Sequence, residues 1–326
     1  MPTVKIPIYL APLQGFTDAV FRYAFQKHFG GVNLYFTPFL RVEDGEIRRR
    51  ELRDIDIARQ LGNIENLVPQ IMVSESDEAD MLVTALKGLG FNNIDLNFGC
   101  PYPMLNRKFK GAGILPHPDK VESVIRSLSK YSDTKFSLKM RLGMTSPDES
   151  LALADILNGF PFEHITIHPR TSKQNYSGEI NEEAFAALSS VLKHNIVYNG
   201  DIIDTQRIDY LLKTYPTLHA VMIGRGLISN PFLACEYQSG EITSSLRREK
   251  FLSFHTTLLT TYLQYSEGGQ SQVLDKMKTF WEYFLPALPH RLRKQILKSR
   301  NLPEYEGFVS IAVREMRFAL SFFLSN

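Results

Sequence analysis

The sequence predicts a (β/α)8 TIM barrel followed by an all-helical C-terminal domain. Three observations carry this. Eight short β-rich runs alternate with helical periods up to about residue 231, polar residues recur at the ends of those runs, and no strand pattern follows about Arg247. Parallel strands need long crossovers, so repeated strand–helix units favour a parallel sheet, and eight of them suggest closure. An open doubly wound sheet is the alternative, but no Gly-x-Gly-x-x-Gly follows the first strand.

The predicted strands are 6–12, 33–42, 67–73, 93–99, 135–141, 164–168, 195–199 and 220–224. Helical spacing covers 18–29, 79–89, 119–130, 149–158, 182–193 and 205–214, whereas 43–60 is charged and less regular. In the tail, 251–265, 273–284 and 309–323 have helical spacing, with a turn at 266–269. The expected division is a barrel domain over 1–238 and a helical domain over 239–326.

Composition bounds the class. Of 326 residues, 44% are hydrophobic and 22% charged, which is ordinary for a barrel of about 250 residues plus a small extra domain. The two cysteines, Cys100 and Cys235, are far apart, which argues against a secreted disulfide scaffold and for a reducing compartment. Residues 1–10 read as a lead-in and first strand rather than a signal peptide. No apolar run approaches the ~20 residues of a membrane span. A cytoplasmic monomer is expected.

In such a barrel, binding and catalytic groups sit at the C-terminal ends of strands. Gln70 interrupts the third run, Asp95-Leu96-Asn97-Phe98-Gly99-Cys100-Pro101 ends the fourth, and Lys139-Met140-Arg141 ends the fifth. His168-Pro169-Arg170, Asn199-Gly200-Asp201 and Gly224-Arg225-Gly226 end the last three. One such residue could be a satisfied core group. Five successive ends carrying Lys, His, Asn, Asp and Arg read instead as one mouth suited to a polar, anionic ligand, because burying them without partners costs several kcal/mol. The Asn-Gly-Asp and Gly-Arg-Gly loops lie where this fold places phosphate, although tight turns alone would also use such glycines. Cys100 stands in that mouth, where a thiol can serve as nucleophile or acid. No second Cys or His at ligand spacing supports a metal. Cys235 reads as packing.

Charge is uneven. Lys276, Lys278, Arg291, Arg293, Lys294, Lys298 and Arg300 stand against Glu282 alone, a local charge of +6 in a chain of net charge +2, so the remainder carries −4. Phe280, Trp281, Tyr283 and Phe284 interleave with them. A charge run is commonly a solvated helix face, but this asymmetry suits a phosphate backbone.

These residues have a familiar order. Asp95-Leu96-Asn97-Phe98-Gly99-Cys100-Pro101, followed by Asn106-Arg107-Lys108 and Gly111-Ala112-Gly113-Ile114-Leu115, resembles the signature of the bacterial-type tRNA-dihydrouridine synthases. Ala11-Pro12-Leu13-Gln14-Gly15-Phe16-Thr17-Asp18, Lys139-Met140-Arg141, His168-Pro169-Arg170-Thr171, Asn199-Gly200-Asp201 and Met222-Ile223-Gly224-Arg225-Gly226 are similar to its other motifs, in the family's order. The likeness covers 8 to about 232. It implies reduction of the C5–C6 double bond of a D-loop uridine in tRNA by FMN, itself reduced by NADPH (or NADH). By motif it implies Pro12, Leu13, Gln14, Gln70, Lys139, His168, Asn199, Gly200, Asp201, Gly224 and Arg225 around FMN, and Cys100 as general acid. It further implies Asn97 on the uracil, and Arg41, Arg141 and Arg170 toward tRNA. The basic tail, Lys276, Lys278, Arg291, Arg293 and Lys294, is expected to follow the RNA backbone. Tyr102, Pro103, Met104 and Leu105 depart from the family pattern after Cys100-Pro101, which bears on loop shape and the choice of uridine. Two rivals are an FMN barrel reductase of a free pyrimidine or enone, and a non-catalytic RNA-binding barrel.

Overall fold

The computed structural model describes residues 5–315. Eight parallel strands form the barrel: β1 (Ile8–Leu10), β2 (Leu34–Phe36), β3 in two pieces (Leu67–Val68 and Gln70–Ile71), β4 (Asn93–Phe98), β5 (Lys135–Gly143), β6 (Ile165–Thr171), β7 (Ile196–Tyr198) and β8 (Ala220–Ile223). The order runs from β3 through β2, β1, β8, β7, β6, β5 and β4 back to β3, so the sheet closes. Closure passes through Pro69. Proline has no N–H for the ladder, so the first piece of β3 pairs with β2 and the second with β4. The carbonyl of Pro69 still accepts from the Asp95 amide at 2.9 Å. The predicted (β/α)8 architecture is therefore what the chain adopts.

Each predicted strand is present, and the differences have physical causes. The second is cut to Leu34–Phe36 because Pro38 follows it. Leu40 then makes an isolated parallel bridge to Ile71, and Val42–Glu43 pairs antiparallel with Glu46–Ile47. The hairpin turns on Asp44 and Gly45, at φ 52° and 79°, the left-handed pair such turns favour. The irregular charged segment holds a helix, Arg49–Gln60, which buries only Ile55 and Ala58. That is too narrow an apolar stripe to read from periodicity. Side-chain caps from Asp18, Asn181 and Asp204 start the helices Ala19–His28, Glu182–Val191 and Thr205–Thr214.

The helix Leu233–Ser239 ends at Gly240, and four helices follow: Ser244–Tyr265, Gly269–Phe280, His290–Lys298 and Leu302–Arg314. The part of the expected 309–323 helix beyond residue 315 lies outside the described residues. Tyr305 centres these helices, its hydroxyl bonded to His255 Nε2 at 2.7 Å and to Trp281 Nε1–H at 2.8 Å. One apolar core runs from the outer helices of the barrel into this region, with Phe21 stacked on Phe280 at 5.5 Å and edge-on to Phe254 at 5.9 Å. The loop after β1 is held from the same side. Lys276 Nζ donates to the Gly15 carbonyl at 2.6 Å and pairs with Asp18 at 2.9 Å. Tyr262 donates to Asp18 at 2.7 Å, and Phe16 packs edge-on to Tyr283 at 5.1 Å. Among the described residues no helix is long and apolar enough to cross a membrane.

Candidate active site

Register assembles the mouth. Gln70 on β3, Asp95 on β4 and Ser137 on β5 are mutual partners in the ladder, and one step up Asn97 lies opposite Lys139. The side chains form a buried rail. Ser137 Oγ and Gln70 Nε2 each donate to the Asp95 carboxylate at 2.6 Å. Asn97 Nδ2 donates to Gln70 Oε1 at 2.6 Å, and Asn97 Oδ1 accepts the Gly99 and Cys100 amides at 3.0 and 2.9 Å. Asp95, Gln70 and Ser137 are fully buried. Burial pushes the Asp95 carboxyl up to about 6, against Gln70, Ser137 and the charge of Lys139.

Cys100 follows directly, half-buried, its carbonyl accepting from the Ala112 amide at 3.0 Å. Gly111 makes that approach possible: its φ is +61°, and a Cβ there would come 2.8 Å from Cys100 Cβ. Burial pushes the thiol up, outweighing the Tyr102 amide and the cations Arg141, Lys139 and Arg41. The thiol is therefore protonated at neutral pH, as an acid must be. Burial, with the neighbouring charge of Arg141, brings the Lys139 ammonium down to about 8, although Asp95 and Cys100 pull it up. Among the described residues Lys139 has no hydrogen-bond or ion-pair partner.

The cations beyond it differ in role. Arg141 is 1% exposed; its Nε donates to the Gly99 carbonyl at 3.0 Å and its Nη1 to the Thr171 carbonyl at 2.8 Å. It ties β5 to the loop after β4 and to the end of β6, so an open phosphate contact is not what its surroundings offer. Arg170, also buried, donates to the Gly178 carbonyl at 2.6 Å and to both Asp201 oxygens. Asp201 accepts from Arg225 as well, at 2.9 Å. Partial burial raises the Asp201 carboxyl, but Arg170 and Arg225 outweigh that and hold it below the usual range. Its φ of 43° is uncommon for a non-glycine residue, and the two guanidiniums hold it there. A carboxylate so engaged serves a phosphate only by ordering Arg225. Burial, with four surrounding cations, keeps His168 well below its ordinary value, hence neutral. Arg170 Nη1 can only donate to His168 Nε2, at 3.3 Å, so the imidazole proton sits on Nδ1.

The loops after β7, β8 and β1 meet here. Asn199 Nδ2 donates to the Met222 carbonyl at 2.7 Å. A Cβ on Gly224 would lie 3.2 Å from Leu13 Cδ1, so this glycine lets the loops after β8 and β1 touch, and one on Gly200 would lie 3.0 Å from Ile180 Cδ1. Leu13 and Pro12 are half-buried, and Gln14 is exposed. Tyr176 escaped the sequence reading. Its ring lies between Arg141 at 5.2 Å and Arg225 at 5.1 Å and stacks on His168 at 6.3 Å. The available signal was an aromatic in a polar loop at a strand's C-terminal end.

The residues expected on tRNA fall into two groups. Arg41 faces Glu51 and Glu43 at 3.4 and 3.8 Å. Lys276 holds the β1 loop, Lys278 lies 3.9 Å from Asp275, and Arg293 donates to the Trp281 and Leu285 carbonyls. Arg291, Lys294 and Lys298 are exposed and make no ion pair among the described residues. The open cationic face is thus one helix, His290–Lys298.

Comparison with known proteins identifies relatives of the whole barrel. The profile of the family described as Dihydrouridine synthase (Dus) matches residues 9–299. "tRNA-dihydrouridine synthase B" of Pasteurella multocida is 31% identical over 231 residues, 71% of this chain and 68% of that protein. "tRNA-dihydrouridine(16) synthase" of Neisseria meningitidis serogroup A is 29% identical over 74% of this chain and 73% of its own. The old yellow enzyme of Trypanosoma cruzi superposes with a TM-score of 0.51 at 10% identity, over 72% of this chain and 88% of that one, a likeness of fold alone. A barrel mouth carrying Cys100 beside Asn97 and Lys139, within a profile match that spans most of the chain, places this protein in the dihydrouridine synthase family.

Proposed function

We propose that this protein reduces a D-loop uridine of tRNA to 5,6-dihydrouridine, as a cytoplasmic monomer, with FMN as cofactor and NADPH as reductant. The observation that carries the reading is the convergence at adjacent strand ends of Cys100, Asn97 and Lys139, a half-buried cation with no hydrogen-bond or ion-pair partner among the described residues. An anionic ring edge would satisfy that cation, which is the fit a flavin offers. Residues 12–14, Gln70, Lys139, His168, Asn199, Gly200, Gly224 and Arg225 would hold it, with Asp201 ordering Arg225. Reduced flavin, when bound, supplies the hydride for C6 of the uracil. Cys100 gives its Sγ proton to C5. Asn97, whose Nδ2 uses one hydrogen on Gln70, has the other for a uracil carbonyl. Lys139 stabilises negative charge beside the ring, an electrostatic contribution. The uridine must leave its stack to reach this depth. Arg291, Lys294 and Lys298 hold the RNA backbone.

The experiment is direct. Purified protein should be yellow and release FMN, not FAD, on denaturation. With NADPH it should form dihydrouridine in an unmodified tRNA transcript and leave free uridine unchanged. Colourless protein that FMN cannot reconstitute, or a transcript without dihydrouridine, overturns the reading.

Lys139 adds a pH test. Its folded-state value near 8 lies below the ordinary 10.5, so between those values the unfolded chain binds the extra proton and this group's share of stability grows with pH. An anion placed beside it reverses that preference and takes up a proton. Flavin affinity is therefore expected to weaken as pH rises above about 8. In Lys139→Met it should be weaker throughout and flat across that range. Titration of the apoprotein by flavin fluorescence measures both, and an unchanged pH slope in the variant removes Lys139 from the site.

A further inference from the structure

We infer that Asp95 is a positioning residue for uridine reduction, acting through Gln70 and Asn97 to seat Cys100. The inference rests on reading Cys100 as the proton donor. Asn97 meets two backbone N–H groups, of Gly99 and Cys100, so its oxygen must face them and its Nδ2 must face Gln70. Gln70 then presents Oε1 to Asn97 and Nε2 downward, where only an acceptor completes the chain, and that acceptor is Asp95. The carboxylate thus fixes the lower end of the rail, and the Cys100 backbone is its upper end. No other hydrogen bond reaches the Gln70 side-chain carboxamide among the described residues, the backbone N–H being taken by Thr37 Oγ1 at 3.0 Å. Without the acceptor, Nε2 is left buried and unsatisfied, a situation that proteins relieve by moving the group. Gln70 turning takes Asn97 with it, and Asn97 carries both the seat of Cys100 and the expected contact to the uracil. Asp95 and Asn97 face the same side of β4 because strand side chains alternate. Asp95 lies one pleat below the reacting groups and touches neither substrate nor cofactor.

The test uses the flavin-loaded enzyme and reads two steps separately. Asp95→Ala is assayed saturated with added flavin, because Gln70 and Lys139 are also expected at the flavin, and its NADPH-driven reduction step should change by less than its tRNA step. It should slow oxidation of the reduced flavin by tRNA by roughly tenfold to a hundredfold, the scale of an ångström-sized misplacement. Asp95→Asn, which keeps an oxygen for Gln70, should recover the rate to within about threefold. In a Cys100→Ala background, Asp95→Ala should cost clearly less than it does alone, because one of the two contacts that Asn97 carries is gone. A wild-type rate in Asp95→Ala, additive losses in the double variant, or an Asp95→Asn as slow as Asp95→Ala each overturns the inference. Should Asp95→Ala fail to fold, Asp95→Ser replaces it, its hydroxyl being too short to reach Gln70; failure of both makes Asp95 a stability residue and overturns the inference too. A Cys100→Ala enzyme at the wild-type rate removes both readings, whereas a slow one beside a normal Asp95→Ala removes this one alone.

Discussion

Cys100→Ala is expected to lose about 10²–10⁴ in the rate at which tRNA oxidises the reduced flavin, the usual worth of general acid catalysis. The loss should be confined to that step. In the proposed mechanism Cys100 contributes a proton to C5 and nothing to the nicotinamide reaction, so flavin content and its reduction by NADPH should stay near wild type. Cys100→Ser should be nearly as poor, since a hydroxyl is a far weaker acid than a thiol. Cys235 is the internal control. Its thiol donates to the Phe232 carbonyl in the first turn of Leu233–Ser239, remote from the mouth, so Cys235→Ala should change stability alone. Single-turnover stopped-flow separates the steps. A Cys100→Ala enzyme that makes dihydrouridine at the wild-type rate rules the thiol out as the acid.

The second large effect is on RNA affinity. Reversing Arg291, Lys294 and Lys298 to Glu should weaken tRNA binding about a hundredfold at moderate salt and lower the slope of log K against log salt by about 3, the loss of three phosphate contacts. NADPH oxidation without tRNA should be unchanged. Arg293 is left in place, because its guanidinium holds the Trp281 and Leu285 carbonyls and its reversal would leave buried acceptors unpaired. A triple variant that binds normally across a salt titration shows that this helix is not the RNA surface.

The sequence carried the barrel and the mouth because both follow from short-range pattern. Eight apolar runs set the strands, and strand ends set where polar residues converge. The helix Arg49–Gln60 was illegible because two buried side chains in twelve residues make no stripe. The same limit holds for charge. Arg141, Lys276 and Arg293 look in sequence like the open cation Arg291, and only the fold brings Thr171, Gly15 and Trp281 to them. Asp95 was visible as a polar residue two before Asn97, but its connection depends on Gln70 arriving in register from β3. Tyr176 depends on loop geometry that no periodicity describes.

Lys276 and Tyr262 reach from the C-terminal helices to Gly15 and Asp18, a few residues from the segment 12–14 that begins the ligand mouth. The C-terminal helices, proposed above as the RNA grip, are in this way also a buttress for the mouth. A barrel severed after Gly240 would keep every mouth residue and lose the brace on its opening loop, with Phe21 and Phe16 laid bare to water. Any replacement of the C-terminal helices must therefore restore that brace as well as the proposed RNA grip. A lysine and a tyrosine thus couple the outermost helices to the loop that opens the mouth.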